Sequence, residues 1–170
     1  MIMRMLAAGG LPVLEDGRRE ADPDNPRGYF ELEAVKGSER DASWVRAAPG
    51  KTVKVISYLL RHLPADLEYK VVFMRRDLDQ VVRSQRAMLQ RLGAPPGPSD
   101  EEARAELAEH LVDVESWLEG APHMRWCGVG YARVLAEPRR EAERVARFLD
   151  APLDIDAMAR AVEPDLWRQR

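Results

Sequence analysis

The sequence predicts an α/β fold, a three-layer arrangement with a parallel sheet and helices on both of its faces. Two observations predict it. KTVKVIS (51–57), EYKVVFM (68–74) and MRWCGVG (124–130) are short β-branched or apolar runs that read as strands. Helical stretches longer than ten residues follow them, at 77–92, 99–119 and 137–150. Strands separated by helices of that length need crossover connections, which run strands parallel and lay helices over the sheet.

Taken in order, residues 1–8 read as the end of a helix closed by Gly9-Gly10. Residues 11–30 carry Pro12, Gly17, Pro23, Pro26 and Gly28, and read as loop. Residues 31–47 are expected to be helical, with Leu32, Val35, Trp44 and Val45 on the apolar side. Pro49-Gly50 turns the chain into the first run, 51–57, and LLRHLP (59–64) is a loop or helical turn before the second, 68–74.

From Asp77, the residues Leu78, Val81, Val82, Met88, Leu89 and Leu92 keep the i, i+3, i+4 spacing of a helix packed on one side, and Gly93 ends it. APPGP (94–98) connects to Ser99-Asp100-Glu101-Glu102, a capping-box start. The helix it opens carries Leu107, Leu111, Val114 and Leu118. EPRREAERVARFLD (137–150) is amphipathic, with Val145, Phe148 and Leu149 on its apolar side, and a short helix follows at 154–162. No repeat interrupts the chain. Its 170 residues predict a single domain spanning 1–170.

Composition excludes several classes. The net charge of −3 gives no global attraction to nucleic acid or to an anionic membrane. Cys127 is the single cysteine, so no internal disulfide forms, and three scattered histidines suggest no metal site. No apolar run approaches the roughly 20 residues that span a bilayer. The start, MIMRMLAAGG, is too short for a secretory signal core. A cytoplasmic protein is the expectation.

The chemistry concentrates in KVVFMRRDLDQVVRSQRAML (70–89). An apolar strand stops at Arg75-Arg76 and a helix begins at once, with Ser84 eight residues after Arg76. A cation at a strand end followed by a helical hydroxyl suits a small anion, phosphate above all. In parallel α/β folds ligands sit at the carboxyl ends of strands. Arg75-Arg76, Ser57 and Gly130-Tyr131 all fall there and are expected to share one rim.

Four blocks resemble the sulfotransferase family, in particular small bacterial sulfotransferase-like proteins of the P-loop superfamily. GGLPVLEDGRREADPDNPRGYFE (9–31) resembles the segment after the family's first helix. KVISYLLRHLP (54–64) is similar to its second strand and Leu-Pro turn. FMRRDLDQVVRSQ (73–85) resembles its 3′-phosphate segment, and YARVLAEPRREAERVARFLD (131–150) its Tyr-x-x-Leu-x-x-Pro helix.

The resemblance implies sulfuryl transfer from 3′-phosphoadenosine 5′-phosphosulfate to an acceptor hydroxyl or amine. It implies that Arg76 and Ser84 bind the 3′-phosphate of that donor. An arginine binds phosphate bidentately with a fixed charge, and a serine adds one hydrogen bond. From Asp77 to Ser84 a helix rises about 10 Å, so the arginine must reach to close the gap.

The chain starts within what resembles the family's first helix. The first strand and the Gly-Ser/Thr loop that cradles the 5′-phosphosulfate are therefore expected to be missing, and no G-x-x-x-x-G-K-[ST] occurs. An uncovered sheet edge would then favour a homo-oligomer. Two alternatives follow. One is an inactive remnant or interaction protein that keeps the fold without a complete donor site. The other is a P-loop kinase-like phosphotransferase, ranked last because no metal-binding motif accompanies it.

Glu31 is the candidate general base, since some members of the family use a glutamate in this region. Its aromatic neighbours Tyr29 and Phe30 suggest a raised pKa that would suit a base. Glu33 is a weaker candidate of the same kind. Lys54, Arg27 and the terminal WRQR (167–170) are possible cations for sulfate or phosphate. His62 reads as a surface turn histidine and Cys127 as a small core residue.

Overall fold

The computed structural model describes residues 1–19, 28–95 and 97–162. Its regular elements are α1 (Ile2–Ala8), β1 (Tyr69–Arg75), α2 (Leu78–Arg91), α3 (Asp100–Gly120), β2 (Met124–Gly130), α4 (Tyr131–Ala136), α5 (Pro138–Leu149) and α6 (Ile155–Arg160). The fold is α/β, a small parallel sheet among many helices.

β1 and β2 pair in parallel, from Tyr69 opposite Met124 to Arg75 opposite Gly130. The α2–α3 connection between them is the crossover that a parallel pair requires. Alternation along the two strands sorts their side chains into two clusters. Val72, Met74, Cys127 and Val129 join α1, α5 and α6 around Met5, Val145 and Met158. Val71, Phe73, Met124 and Trp126 join α3 and the turn before β1 around Leu60, Val114 and Leu118. Successive strand residues face opposite sides of the sheet, so these seven-residue runs separate their neighbours in this way.

Local signals place the helix ends. Asp77 accepts from the Gln80 backbone N–H at 3.0 Å and opens α2. Ser99 and Glu102 form the expected reciprocal capping box of α3. Pro138 stands at the first turn of α5, where a missing N–H costs nothing, and Asp154 caps α6. Gly93 takes a φ of +63° just beyond α2, a conformation that suits glycine.

Two expected elements differ. Residues 31–47 do not form one helix; they form two short 3₁₀ turns, Glu33–Gly37 and Ser43–Ala47. The Ser38 hydroxyl donates to the Val35 carbonyl at 2.6 Å and accepts from Trp44 Nε1 at 3.0 Å, and Asp41 accepts from the Ser43 N–H. These side chains take backbone groups that a continuous helix would need. The 51–57 run is not a ladder-forming strand either. It is extended with a single parallel bridge, Val13 to Thr52, held by Leu14 N–H to Thr52 O and Thr52 N–H to Pro12 O. β-branched residues favour the extended form, but a strand also needs a neighbour along its length, and only two strands pair among the described residues.

Buried charge ties α5 to β2. The Glu141 carboxylate, 0% exposed, takes Arg133 at 2.9 Å on one oxygen and Arg144 at 2.7 Å on the other. Arg144 continues to the Gly128 carbonyl at 2.7 Å and to Cys127 Sγ at 2.9 Å. Its bond to Glu141 holds the guanidinium's pKa above its ordinary value despite partial burial.

Candidate functional site

The site is built from the carboxyl end of β1. The parallel register sets Arg75 opposite Gly130, so the next residues, Arg76 and Tyr131, leave the sheet side by side. The Arg76 guanidinium carbon lies 4.9 Å from the centroid of the Tyr131 ring. Arg76 Nε donates to Gln80 Oε1 at 3.3 Å. The sequence RRDLDQ thus works as a unit: Asp77 holds the Gln80 backbone, and Gln80 holds Arg76. Ser84 is half-buried one turn beyond Gln80 on α2, and it does not line the cavity on which Arg76 opens.

Arg75 is already engaged by a neighbouring helix. It pairs with Glu115 of α3 at 2.6 Å and lies 5.6 Å from the Trp126 ring.

Arg76, Tyr131 and Ser57 open on a cavity of about 1240 Å³. β1 lines one side of it, and the extended 51–55 segment lines another together with Tyr29, Phe30 and the start of α1. The expected rim is therefore assembled, although Ser57 reaches it from the start of a 3₁₀ turn, Ser57–His62, rather than from a strand end.

Glu31 lies beside this cavity's Tyr29–Lys54 wall. Lys54 Nζ donates to Glu31 Oε1 at 2.9 Å and to the Tyr29 carbonyl at 3.2 Å. Arg19 Nη1 reaches both Glu31 oxygens, at 3.1 and 3.2 Å, with its guanidinium 3.4 Å over the Tyr29 ring. Partial burial pushes the Glu31 carboxyl upward, but the bonds from Lys54 and Arg19 together outweigh it and hold the pKa below its ordinary value. The raised pKa expected from the aromatic neighbours is thus not found, because the two cations were not visible beside Glu31 in the sequence. Lys54 is in turn engaged by this carboxylate.

Glu33 stands apart on the surface, paired with Lys36 at 2.7 Å. His62 is exposed in the turn. His123 meets Tyr69 and Trp117 edge-on at the far end of the sheet. Arg27 and 167–170 lie outside the described residues. Among the described residues no group of three or more His, Cys, Asp or Glu is placed to hold a metal. None of their helices is long and apolar enough to cross a membrane.

Sequence reasoning missed His110. The Ser57 Oγ and His110 Nε2 are 2.7 Å apart, and the Tyr58 ring stacks on the imidazole at 3.5 Å and 8°. Burial, then the nearby Arg61, lower the His110 pKa against the opposing pull of Asp113. One signal was available: His110 lies three residues after Leu107 and four before Val114, on the flank of the α3 apolar stripe. Gln80 was equally unmarked, although it stands four residues after Arg76.

No curated protein and no solved structure gives a significant match. The sequence model of the sulfotransferase family matches residues 21–155 of the 170, a span that contains Glu31, both strands, Arg76, Ser84 and Tyr131. The chain belongs to the sulfotransferase family.

Proposed function

We propose that this protein transfers a sulfuryl group from 3′-phosphoadenosine 5′-phosphosulfate to an acceptor hydroxyl or amine. The observation that carries the reading is Arg76, fixed between Gln80 and Tyr131 at the carboxyl end of β1 and open to the cavity. With Nε held by Gln80, the two terminal nitrogens remain for the 3′-phosphate, which a planar guanidinium binds bidentately. Ser84 adds a hydroxyl further along α2.

Transfer is an in-line displacement. The acceptor atom bonds to sulfur as the bond from sulfur to the bridging phosphate oxygen breaks, and 3′-phosphoadenosine 5′-phosphate leaves with the electron pair. Positioning and electrostatic stabilisation supply most of the acceleration in such a step. In this reading Glu31, bonded to Lys54 beside the cavity wall, is turned to the acceptor. Held ionised by Lys54 and Arg19, it accepts a hydrogen bond from an acceptor hydroxyl or amine well, but its lowered proton affinity makes it a weak base.

In the same reading the chain is one domain of the three-layer P-loop type. The separation of β1 and β2 side chains into two helix-covered clusters supports that architecture.

The test uses donor carrying a radiolabelled sulfuryl group with a panel of phenols, alcohols and amines. Label appearing on an acceptor, with stoichiometric release of 3′-phosphoadenosine 5′-phosphate, is the expected result. Absence of both transfer and nucleotide binding would overturn the proposal and favour a non-enzymatic relative.

A further inference from the structure

Ser57 and His110 come from elements more than fifty residues apart, yet their polar atoms meet at 2.7 Å. Ser57 opens the 3₁₀ turn after the extended segment, and its side chain is half-buried at the cavity wall shared with Arg76. His110 stands behind it on α3. Tyr58, 57% exposed, lies flat on the imidazole and fixes the ring plane. The order from the cavity outward is therefore hydroxyl, imidazole, aromatic plate.

We propose that Ser57 and His110 form the proton relay for the acceptor, with Ser57 Oγ touching the acceptor and His110 Nε2 storing its proton. This inference rests on the sulfuryl-transfer reading and names the base that Glu31 is poorly suited to be. In the step, the acceptor O–H or N–H proton moves to Ser57 Oγ as the Ser57 proton moves to Nε2. The freed electron pair forms the bond to sulfur, and the bond from sulfur to the bridging oxygen breaks toward the departing nucleotide. Serine is regenerated, and His110 leaves the step as imidazolium, returning its proton to water.

The surroundings suit this use. A base must be neutral before the step, and partial burial with Arg61 nearby favours neutral imidazole. Asp113, three residues on along α3, opposes that shift and favours the imidazolium that forms. The charged groups bearing on the ring are thus Arg61 from the 3₁₀ turn and Asp113 from its own helix, with Tyr58 as the aromatic face. Arg61 is held in place by the Asp113 carbonyl at 3.1 Å.

The experiment compares the full chain with His110→Asn and Ser57→Ala. Each is given the sulfuryl donor with phenol and with water as acceptors, and each is titrated with 3′-phosphoadenosine 5′-phosphate. The relay predicts nucleotide affinity within about twofold of the parent for both variants. It predicts turnover about a hundredfold lower, the low end of general-base effects. It also predicts that the acid limb of the parent's pH–rate profile disappears in His110→Asn, a change that a merely structural contact would not produce. Turnover of His110→Asn within threefold of the parent, with the acid limb intact, overturns the relay. So does a parent that binds the nucleotide yet releases none from the donor with either acceptor. If the parent does not bind the nucleotide, the sulfuryl-transfer reading itself fails, and the two failures are told apart by that titration.

Discussion

The Arg76 guanidinium lies over the Tyr131 ring at 4.9 Å because the register of two parallel strands delivers both residues to one point. Arg75 opposite Gly130 is the last pair of the ladder, and the chain leaves each strand directly into a helix. A cation held on an aromatic face and bonded at Nε by Gln80 loses little freedom when an anion arrives. Replacing Tyr131 by Leu removes the plate but not the charge. The expected cost is about 0.5–1 kcal/mol, a two- to fivefold weaker binding of 3′-phosphoadenosine 5′-phosphate by isothermal titration. An unchanged affinity would mean that the ring does not order Arg76.

Glu31 gives a pH-dependent contribution to stability whose sign follows from its lowered pKa. The unfolded chain holds the Glu31 proton more tightly than the folded chain does. The contribution is therefore complete above the ordinary glutamate pKa of about 4.3 and is lost as pH falls through the lower folded value. Urea midpoints of the parent and Glu31→Gln should differ most near neutral pH and converge in acid. High salt should shrink the difference, because the Lys54 and Arg19 partners are partly exposed. A pH-independent difference would contradict the ion-pair account.

The Glu141 carboxylate is enclosed while Arg133 is largely exposed and Arg144 partly so. Glu141→Gln keeps the volume and removes the charge that both guanidiniums face. The expected loss is about 3 kcal/mol, the low end for breaking a buried pair, since the arginines can recover some hydration. Thermal or urea unfolding checks it, and a loss below about 1 kcal/mol would show that the network is not stabilising β2 against α5.

Gly9 closes α1 against Met158 of α6. A Cβ there would stand 2.6 Å from Met158 Cγ and 3.0 Å from Sδ. Its φ of −73° suits any residue, so packing alone opposes substitution. Gly9→Ala should destabilise by about 1–2 kcal/mol, overpacking outweighing the entropy gained from losing a glycine. In a Met158→Ala background the same change should cost little, and equal costs in both backgrounds would exclude this contact as the cause.

The sequence was most legible where structure is local. Asp77, the Ser99–Glu102 box and Pro138 each specify a helix start by their own chemistry, and the largely apolar runs 68–74 and 124–130 pair in parallel. Residues 51–57 have the same strand character but find only one bridging partner, so local preference did not become a ladder. Residues 31–47 fail as a helix because Ser38 bonds the Val35 carbonyl and Trp44 while Asp41 takes the Ser43 N–H, which residue spacing does not reveal. In the candidate site, Arg76 was legible as a cation at a strand end. The Lys54 and Arg19 clamp on Glu31, and the approach of Ser57 to His110, are contacts between distant segments and become visible only in three dimensions.

The central claim is that Arg76 reads a 3′-phosphate, and the most direct measurement pairs a ligand change with a side-chain change. The parent and Arg76→Ala are each titrated with 3′-phosphoadenosine 5′-phosphate and with adenosine 5′-monophosphate, which lacks the 3′-phosphate. The parent should prefer the bisphosphate by about ten- to a hundredfold, the scale of a charge-assisted hydrogen-bonded pair, and Arg76→Ala should lose that preference. Equal affinity of the parent for both nucleotides, or a preference that survives in Arg76→Ala, would contradict it.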